Sequence, residues 1–308
     1  MENQTNCYCI AIVAPSGYAA DRAAYDRAII NLRAAGHTVH DYTAESDKTL
    51  RFAASDAARI SQLHAAANNP DVDIVMALRG GYGLSRLLPL IDFDLLAQSG
   101  KLFVGHSDFT ALHLGLLAKT GAVSFAGPMI CDDFSRADSS DFTHQHFWQC
   151  LSAPACTITA KVLGNTQFAA EGLLWGGNLS MLTHLIGSPW MPQIEGGILF
   201  IEDINEHPYR VERMLLQLLH AGILQKQKAV LLGDFSGYRL SDYDNGYDFE
   251  SMLSFMRSQV TVPLLQGLQF GHVRDKLTLP VGARASLQSD AEGFRLQVGG
   301  YPTCGQLK

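Results

Sequence analysis

Short apolar runs alternate with amphipathic stretches through the first half of the chain. The runs at 8–14, 72–78 and 102–104 predict buried β-strands, because they are short and continuous rather than periodic. Residues 21–35 and 109–119 repeat apolar positions at helical spacing, and a glycine follows each stretch, which predicts two helices. Strands that alternate with helices pair in parallel through right-handed crossovers. The pattern therefore predicts an α/β layer structure for this half.

The second half of the chain is richer in β patterns. Apolar runs at 197–201 and 229–233 predict two strands. Between them, apolar residues over 211–219 follow the i, i+3, i+4 spacing, which predicts an amphipathic helix. From residue 262 onward, alternating or continuous apolar runs are broken by Gly and Pro, which is typical of β-structure. We expect a second α/β domain with more mixed or antiparallel strands than the first.

The boundary between the two halves shows little hydrophobic periodicity. A chain of 308 residues is long enough for two domains. Residues 136–168 are richer in polar and small side chains than their surroundings, which is typical of a linker region. We therefore expect an N-terminal domain over 1–150, a linker over 151–168 and a C-terminal domain over 169–308.

Charge and composition narrow the expected partners. The chain carries 23 basic and 30 acidic residues, a formal net charge of −7, so it has no overall electrostatic reason to bind nucleic acid. No run approaches the roughly 18 apolar residues of a membrane span, and the polar start does not resemble a secretory signal. The six cysteines form no C-x-x-C pair, and no H-E-x-x-H metal motif is present. We expect a cytoplasmic protein without a metal or cofactor, although a chain with a trimmed leader would look the same.

Ser107 is the first candidate for chemistry. It lies in the sequence Gly-His-Ser-Asp-Phe, between a predicted strand and a predicted helix. Such a turn lifts a serine hydroxyl out of the fold, while the N-terminus of the next helix presents backbone N–H groups to an anion. The match to the G-x-S-x-G pattern is partial, because Phe109 occupies the last position. Ser107 or Asp108 could also simply cap the helix.

The glycine-rich stretch 79–83 also follows a predicted strand. In a parallel sheet its loop opens at the same edge as Ser107, where open α/β sheets form their active sites. Three glycines in five residues leave backbone N–H groups unshielded, as an oxyanion hole requires. Neither of the nucleotide-binding motifs G-x-G-x-x-G and G-x-x-x-x-G-K-[ST] matches the stretch, which disfavours a phosphate-binding loop. A plain tight turn is the remaining alternative.

A carboxylate and a histidine complete the candidate set. The apolar run at 198–201 ends in Glu202 and Asp203, and a carboxylate there could orient a histidine through its Nδ1–H. Asp203 and Glu206 compete with Glu202 for this role, or cap the following helix. His272 follows Phe270-Gly271 in a β-rich segment, but it is one of eleven histidines, and its local pattern does not single it out.

These segments together resemble one known family. The chain is similar to the L,D-carboxypeptidase family of serine peptidases, which includes bacterial muramoyl-tetrapeptide carboxypeptidases and the microcin C self-immunity hydrolases. The resemblance is closest to the muramoyl-tetrapeptide enzymes and runs from residue 12 to His272. The motifs that carry it are IVAPSG (12–17), RGGYG (79–83), GHSD (105–108), WGGN (175–178) and EDINE (202–206).

The resemblance implies a role for each candidate residue. Ser107 would be the nucleophile, His272 its base and Glu202 the acid that orients the histidine. The backbone N–H groups of Gly81 and Asp108 would form the oxyanion hole. The family pattern is intact at all of these positions. Candidates for holding polar parts of the substrate lie in the same motif loops: Arg79, Tyr82, Asn178 and Glu206. Arg79 could pair a substrate carboxylate or serve only the structure of the glycine loop.

The resemblance also implies a fold and a reaction. The fold is a flavodoxin-like parallel-sheet domain bearing the serine, followed by a β-rich swivelling α/β domain bearing the glutamate and histidine, commonly as a homodimer. The reaction removes the terminal D-alanine of a muramoyl tetrapeptide in peptidoglycan recycling, without a cofactor. Two alternatives stay open at this point: hydrolysis of the amide of a peptide–nucleotide antibiotic, and non-catalytic binding of a small ligand.

Overall fold

A computed structural model describes residues 7–305 of the chain. Thirteen strands are found in this range. Their bounds are β1 Cys9–Val13, β2 Thr38–Asp41, β3 Ile74–Ala77, β4 Leu102–Gly105, β5 Ser124–Ala126, β6 Ala155–Lys161, β7 Phe168–Asn178, β8 Ile198–Ile204, β9 Ala229–Ser236, β10 Leu264–Gln266, β11 Leu279–Val281, β12 Ala283–Asp290 and β13 Gly293–Gly299.

Nine α-helices connect and cover these strands within the same range. Their bounds are α1 Arg22–Ala34, α2 Asp56–Asn68, α3 Leu84–Leu87, α4 Phe93–Gln98, α5 Thr110–Thr120, α6 Asp141–Ser152, α7 Leu179–His184, α8 Pro208–His220 and α9 Phe249–Gln259. Across residues 7–305, none of these helices has both the length and the apolar character to cross a membrane.

The first sheet has the order β11-β5-β4-β3-β1-β2. Strands β1 to β5 pair in parallel in the order 2-1-3-4-5, which is that of flavodoxin-like folds. All residues of β3 and β4 are buried, since helices cover both faces, and this explains their continuous apolar sequences. The prediction of a parallel α/β layer for the first half is confirmed.

The second sheet has the order β10-β9-β8-β7-β12-β13-β6. Strands β7 to β10 pair in parallel, whereas β12 pairs antiparallel with both β7 and β13, and β6 pairs antiparallel with β13. Buried and exposed residues alternate along β12, as expected where one face of a sheet meets solvent. The expected mixed, β-rich second half is therefore confirmed.

Two elements depart from the sequence expectations. The weakly periodic stretch 136–168 contains helix α6 and strand β6, and β6 forms the edge of the second sheet. Strand β11 lies in the chain between β10 and β12 of the second sheet, yet it pairs antiparallel with β5 of the first sheet. Neither strand could be assigned from its sequence, because three-residue strands and edge strands carry little periodic signal. The division at 1–150 and 169–308 stays a prediction.

The two sheets meet where α5 begins and β7 ends. Thr110 Oγ1 accepts a hydrogen bond of 3.0 Å from the backbone N–H of Asn178. A Cβ on the neighbouring Gly177 would lie 2.5 Å from the same Thr110 oxygen, so only glycine allows this approach. The contact brings the carboxyl end of β4, which precedes Ser107, close to the carboxyl end of β8, which carries Glu202.

Candidate active site

Ser107 occupies a strained turn between β4 and α5. Strand β4 ends at Gly105, and a short 3₁₀ turn over Ser107–Phe109 leads into the helix. The φ angle of Ser107 is +62°, a left-handed conformation that costs a residue with a side chain about 1–2 kcal/mol. A Cβ on Gly105 would lie 2.7 Å from the ring of Phe109, so the turn needs glycine there. Strain at one serine on a strand-to-helix turn is characteristic of a nucleophile elbow.

The glycine loop after β3 packs directly against Ser107. A Cβ on Gly80 would lie 2.7 Å from Ser107 Cβ and 2.8 Å from its Oγ. The next residue, Gly81, has φ +112°, which favours glycine, and within residues 7–305 its N–H donates no hydrogen bond. The loop thus packs on the serine through Gly80 and carries an unused backbone donor at the next residue, an arrangement that suits an oxyanion hole.

The Asp108 side chain joins the loops around this turn. The carboxylate is 1% exposed, and its Oδ2 accepts hydrogen bonds from Ser16 Oγ at 2.5 Å and from the Leu84 N–H at 2.9 Å. Its other oxygen, Oδ1, is buried without a hydrogen-bond partner in the described chain. Burial raises the pKa of Asp108, against the opposing effect of the Ser16 and Leu84 hydrogen bonds.

Glu202 and His272 are hydrogen-bonded. His272 Nδ1 lies 2.8 Å from Glu202 Oε2, and the glutamate is fully buried near the carboxyl end of β8. Burial lowers the pKa of His272, but the hydrogen bond and charge of Glu202 outweigh it, so this pKa lies above its ordinary value. With Nδ1–H donated to the carboxylate, the neutral ring keeps a free lone pair on Nε2.

Asn178 fixes Glu202 from the opposite side. Its amide Nδ2 donates to Glu202 Oε1 at 3.2 Å and to Asp203 Oδ1 at 2.9 Å, and its Oδ1 accepts from the Met181 N–H at 3.2 Å. The side chain is 6% exposed. Because all its polar atoms have partners in the protein, Asn178 is better suited to holding Glu202 than to contacting a substrate.

The competing carboxylates have other partners. Asp203 accepts hydrogen bonds from the backbone N–H and the hydroxyl of Ser180, at 2.8 and 2.6 Å, and so supports the start of α7. Glu206 forms a half-exposed ion pair with Arg210 at 3.7 Å. Glu202 is therefore the carboxylate that the fold places on His272.

His106 is a residue of the site that the sequence did not single out. It is 3% exposed, its Nδ1 lies 3.0 Å from the carbonyl oxygen of Gly127, and its ring packs edge-on to His272 with centroids 5.1 Å apart. Burial, the charge of Lys276 and the neighbouring His272 lower the pKa of His106 well below its ordinary value. Its place beside Ser107 in the Gly-His-Ser-Asp motif was the only signal in the sequence.

His106 connects the two parts of the site, because it directly precedes Ser107 and its ring packs on that of His272. Within residues 7–305, Ser107 Oγ makes no hydrogen bond with His272 or with any other residue. Contacts of this kind commonly tighten only when substrate is bound. The structure thus joins Glu202 to His272, and Ser107 to the glycine loop, and brings the two pairs together through His106.

Arg79 and Tyr82 flank the glycine loop. Arg79 is half-buried, its Nε is buried without an acceptor in the described chain, and Nη1 reaches the Tyr18 carbonyl only at 3.5 Å. Tyr82 is 40% exposed, and Arg51 stacks over its ring at 5.7 Å from the centroid. In contrast, Trp175 is fully buried with its indole N–H on Gln227, so it belongs to the core and lines no open surface.

The assembled groups suit acyl transfer. They comprise a strained serine, a histidine oriented by a buried carboxylate and an unused backbone N–H beside the serine, which are the parts of nucleophilic catalysis at a carbonyl. No group of three or more His, Cys, Asp or Glu side chains able to hold a metal ion occurs within the described range 7–305.

Comparison with known proteins gives the same fold and family. Residues 10–127 match the model of the LD-carboxypeptidase N-terminal domain, and residues 171–287 match that of its C-terminal domain. A probable murein peptide carboxypeptidase of Bacillus subtilis is 31% identical over 293 residues, which cover 94% of this chain and 92% of that protein. The microcin C7 self-immunity protein MccF of Escherichia coli is 29% identical over 273 residues, 77% of each chain.

A solved structure is closer still. The crystal structure of a muramoyltetrapeptide carboxypeptidase from Oxalobacter formigenes is 56% identical, with a TM-score of 0.92 over 96% of this chain and all of that one. The chain therefore belongs to the LD-carboxypeptidase family and is a serine carboxypeptidase.

Proposed function

We propose that this enzyme removes the terminal D-alanine from muramoyl tetrapeptides in peptidoglycan recycling. The observation that carries the proposal is the 56% identity to the Oxalobacter formigenes muramoyltetrapeptide carboxypeptidase over nearly the whole chain. The Glu202–His272 hydrogen bond beside the strained Ser107 supports the chemistry. The products are the tripeptide form and free D-alanine.

The first half of the reaction forms an acyl-enzyme. His272 Nε2 takes the proton of Ser107 Oγ as the oxygen attacks the carbonyl carbon of the L-centred third residue. The tetrahedral oxyanion accepts hydrogen bonds from the N–H groups of Gly81 and Asp108. Glu202 holds the imidazolium that forms. The C–N bond then breaks as His272 gives its proton to the leaving amine. D-alanine departs, and the rest of the peptide stays bound to Ser107 as an ester.

The second half regenerates the enzyme. His272, neutral again, takes a proton from a water molecule as that water attacks the ester carbonyl. The same two N–H groups hold the second oxyanion. Collapse of this intermediate returns the proton to Ser107 Oγ and releases the tripeptide acid. Every proton passes through one histidine nitrogen, which is why Glu202 must fix the ring on its other side.

Arg79 is our candidate for the D-alanine carboxylate. Its guanidinium lies at the carboxyl edge of the first sheet, next to the loop that touches Ser107, and its Nε has no acceptor in the described chain. A planar guanidinium binds a carboxylate through two parallel hydrogen bonds. Tyr82 and Glu206 stay candidates for other polar parts of the peptide. We propose that Asn178 positions Glu202 rather than contacting the substrate, because its side-chain amide is fully engaged in hydrogen bonds there.

The organisation around the site is also a proposal. We propose an N-terminal domain over 1–150 bearing Ser107 and a C-terminal domain over 169–308 bearing Glu202 and His272. The two family matches, 10–127 and 171–287, support this division, and β6 within 151–168 extends the second sheet. From the family resemblance we also propose a cytoplasmic homodimer. Light scattering of the purified protein tests its assembly, and cell fractionation its location.

The decisive experiment measures D-alanine release. The protein and its Ser107→Ala variant are incubated with purified muramoyl tetrapeptide, and D-alanine is followed by mass spectrometry. We expect release by the wild type alone. Release by both proteins would remove Ser107 from the mechanism. If neither releases D-alanine, the muropeptide substrate is wrong, and aminoacyl sulfamoyl nucleosides are the next substrates to assay, since MccF structures contain them.

A further inference from the structure

The segment that carries His272 is hydrogen-bonded to residues from the first half of the chain. Residues 272–276 lie between β10 of the second sheet and β11 of the first. Thr143 Oγ1 donates to the Arg274 carbonyl at 3.0 Å and accepts from the Lys276 N–H at 2.9 Å. Ser140 Oγ donates to Asp275 Oδ1 at 2.5 Å. The position of His272 therefore depends on residues that follow β5.

A buried ion pair completes this attachment. Lys276 Nζ lies 2.8 Å from Asp133 Oδ1, and the two side chains are 3% and 2% exposed. Asp133 Oδ2 accepts a further hydrogen bond of 2.8 Å from the Met129 N–H. Burying two charges is costly, and an apolar pair of the same volume commonly fills such a place with equal or greater stability. Packing alone thus does not account for a lysine at this position.

The charge of Lys276 acts on both histidines of the site. It lowers the pKa of His106 and opposes the rise that Glu202 imposes on the pKa of His272. The two rings are 5.1 Å apart, so a proton on one disfavours a proton on the other. The charged or titratable groups around His272 are Glu202 and Asp203 on β8, Asp234 beside Gly271, His106 after β4, Arg274, Asp275 and Lys276 on its own segment, and Asp133 through Lys276.

We propose that Lys276, anchored by Asp133, is a positioning residue that offsets the attraction of Glu202 for the proton of His272 and so leaves His272 free to act as a base. Burial and the charge of Lys276 both oppose the attraction of Glu202 for the His272 proton. A base is most effective when its pKa lies near the working pH. The lysine offsets that attraction without touching substrate. The proposal rests on the assignment of His272 as the catalytic base.

The test compares two variants with a matched control. Lys276→Met removes the charge, and Lys276→Met/Asp133→Leu replaces the whole pair with apolar side chains, which avoids leaving a buried carboxylate alone. Lys226→Met is the control, since Lys226 forms a surface ion pair with Glu195 at 2.8 Å. The titration of His272 is followed by NMR of the ring, assigned with a His272→Gln variant, and the pH dependence of kcat/KM is measured on muramoyl tetrapeptide.

We expect the midpoint of the His272 titration to rise by about half a pH unit or more in both Lys276 variants. If Asp133 stays ionised in Lys276→Met, its negative charge near His272 is no longer balanced. If Asp133 takes a proton or is replaced, the net charge of the pair stays zero, and the rise comes from the loss of Lys276, which acts on His272 directly. At pH values below the midpoint of the acidic limb, kcat/KM of the variants is then about threefold lower than that of the wild type. At pH values well above the midpoint it is unchanged. Lys226→Met changes neither quantity.

An unchanged His272 midpoint in the folded double variant would overturn the proposal. So would a uniform loss of kcat at every pH without a shift of the limb, which is the result of a purely structural role. The NMR titration needs no substrate. If the wild type fails to cut the tetrapeptide but His272 still shifts, the proposed substrate is wrong and the role of Lys276 stands.

Discussion

The Ser16 hydroxyl donates a hydrogen bond of 2.5 Å to the carboxylate of Asp108, which links the loop after β1 to the turn of the proposed nucleophile. The same carboxylate oxygen accepts from the N–H of Leu84, directly after the glycine loop. One buried side chain thus fixes the relative positions of the two loops that supply the proposed oxyanion donors, Gly81 and Asp108.

Removing this carboxylate should impair turnover more than binding. In Asp108→Ala the backbone N–H stays, but the Leu84 N–H loses its acceptor and the glycine loop loses its attachment. We expect kcat to fall about 10²–10³-fold with little change in KM, as when one oxyanion donor is lost. The variant should also lose about 1–3 kcal/mol of unfolding free energy, because a buried donor is left unsatisfied. Steady-state kinetics and denaturant unfolding measure both.

Asp108→Asn and Ser16→Ala separate the contributions. The asparagine oxygen can still accept from Leu84, so Asp108→Asn should recover much of the lost kcat. Ser16→Ala should have an intermediate effect. If Asp108→Ala turned over at the wild-type rate, the attachment of the loops would have no part in catalysis.

Gly80→Ala should displace the nucleophile. The added Cβ would lie 2.7 Å from Ser107 Cβ, closer than real Cβ contacts allow, and the strained turn cannot relax without moving the hydroxyl. Misplacement by about 1 Å can cost 10²-fold in rate, and we expect a loss of that order in kcat. Gly299→Ala is the control, because its Cβ would make only ordinary contacts, with Ala155 Cβ at 3.5 Å and the Pro154 carbonyl oxygen at 3.7 Å. Equal activity of the two variants would contradict close packing of Gly80 on Ser107.

Part of this site was readable from the sequence because parallel topology has a simple consequence. Apolar runs before Ser107, the glycine loop and Glu202 predicted strands, and the carboxyl ends of parallel strands share an edge. The structure places Ser107 and the glycine loop at that edge of the first sheet, and Glu202 near the carboxyl end of β8 in the second sheet. His272 is different: it follows an irregular segment with no period, so only the family resemblance indicated it.

Other contacts could not be predicted, since they depend on distant residues. The Lys276–Asp133 pair joins positions far apart in the chain, and neither residue lies in a recognisable motif. Asn178 was expected to hold part of the substrate, and its hydrogen bonds to Glu202 and Asp203 could not be foreseen because they depend on the register of β7 against β8. Sequence patterns predict which face of a strand is buried, but not which strand pairs with it.

The pH dependence of activity should reflect the contact between Glu202 and His272. A base works only when neutral, so kcat/KM should rise with pH through the pKa of His272. That pKa lies above the ordinary 6.5 because the hydrogen bond and charge of Glu202 outweigh burial. We expect an acidic limb with its midpoint above 6.5. In Glu202→Gln the charge is lost, so the limb of the remaining activity should move to lower pH, and kcat should fall roughly 10³–10⁴-fold. A limb that does not move would assign it to another group.

Arg79→Gln should weaken recognition of the D-alanine carboxylate. The unsatisfied Nε of Arg79 favours an anion, whereas glutamine can offer only a neutral amide. A tetrapeptide ending in D-alaninamide lacks that anion, so the wild type should prefer the free acid by a factor of about 10–100, the worth of one charge-assisted hydrogen bond. In Arg79→Gln this preference should largely vanish, because only the activity on the free-acid substrate falls. The control is Arg51→Gln, which removes a nearby guanidinium stacked on Tyr82. If the preference persisted in Arg79→Gln and vanished in Arg51→Gln, the carboxylate would bind at Arg51, and Arg79 would serve only the glycine loop.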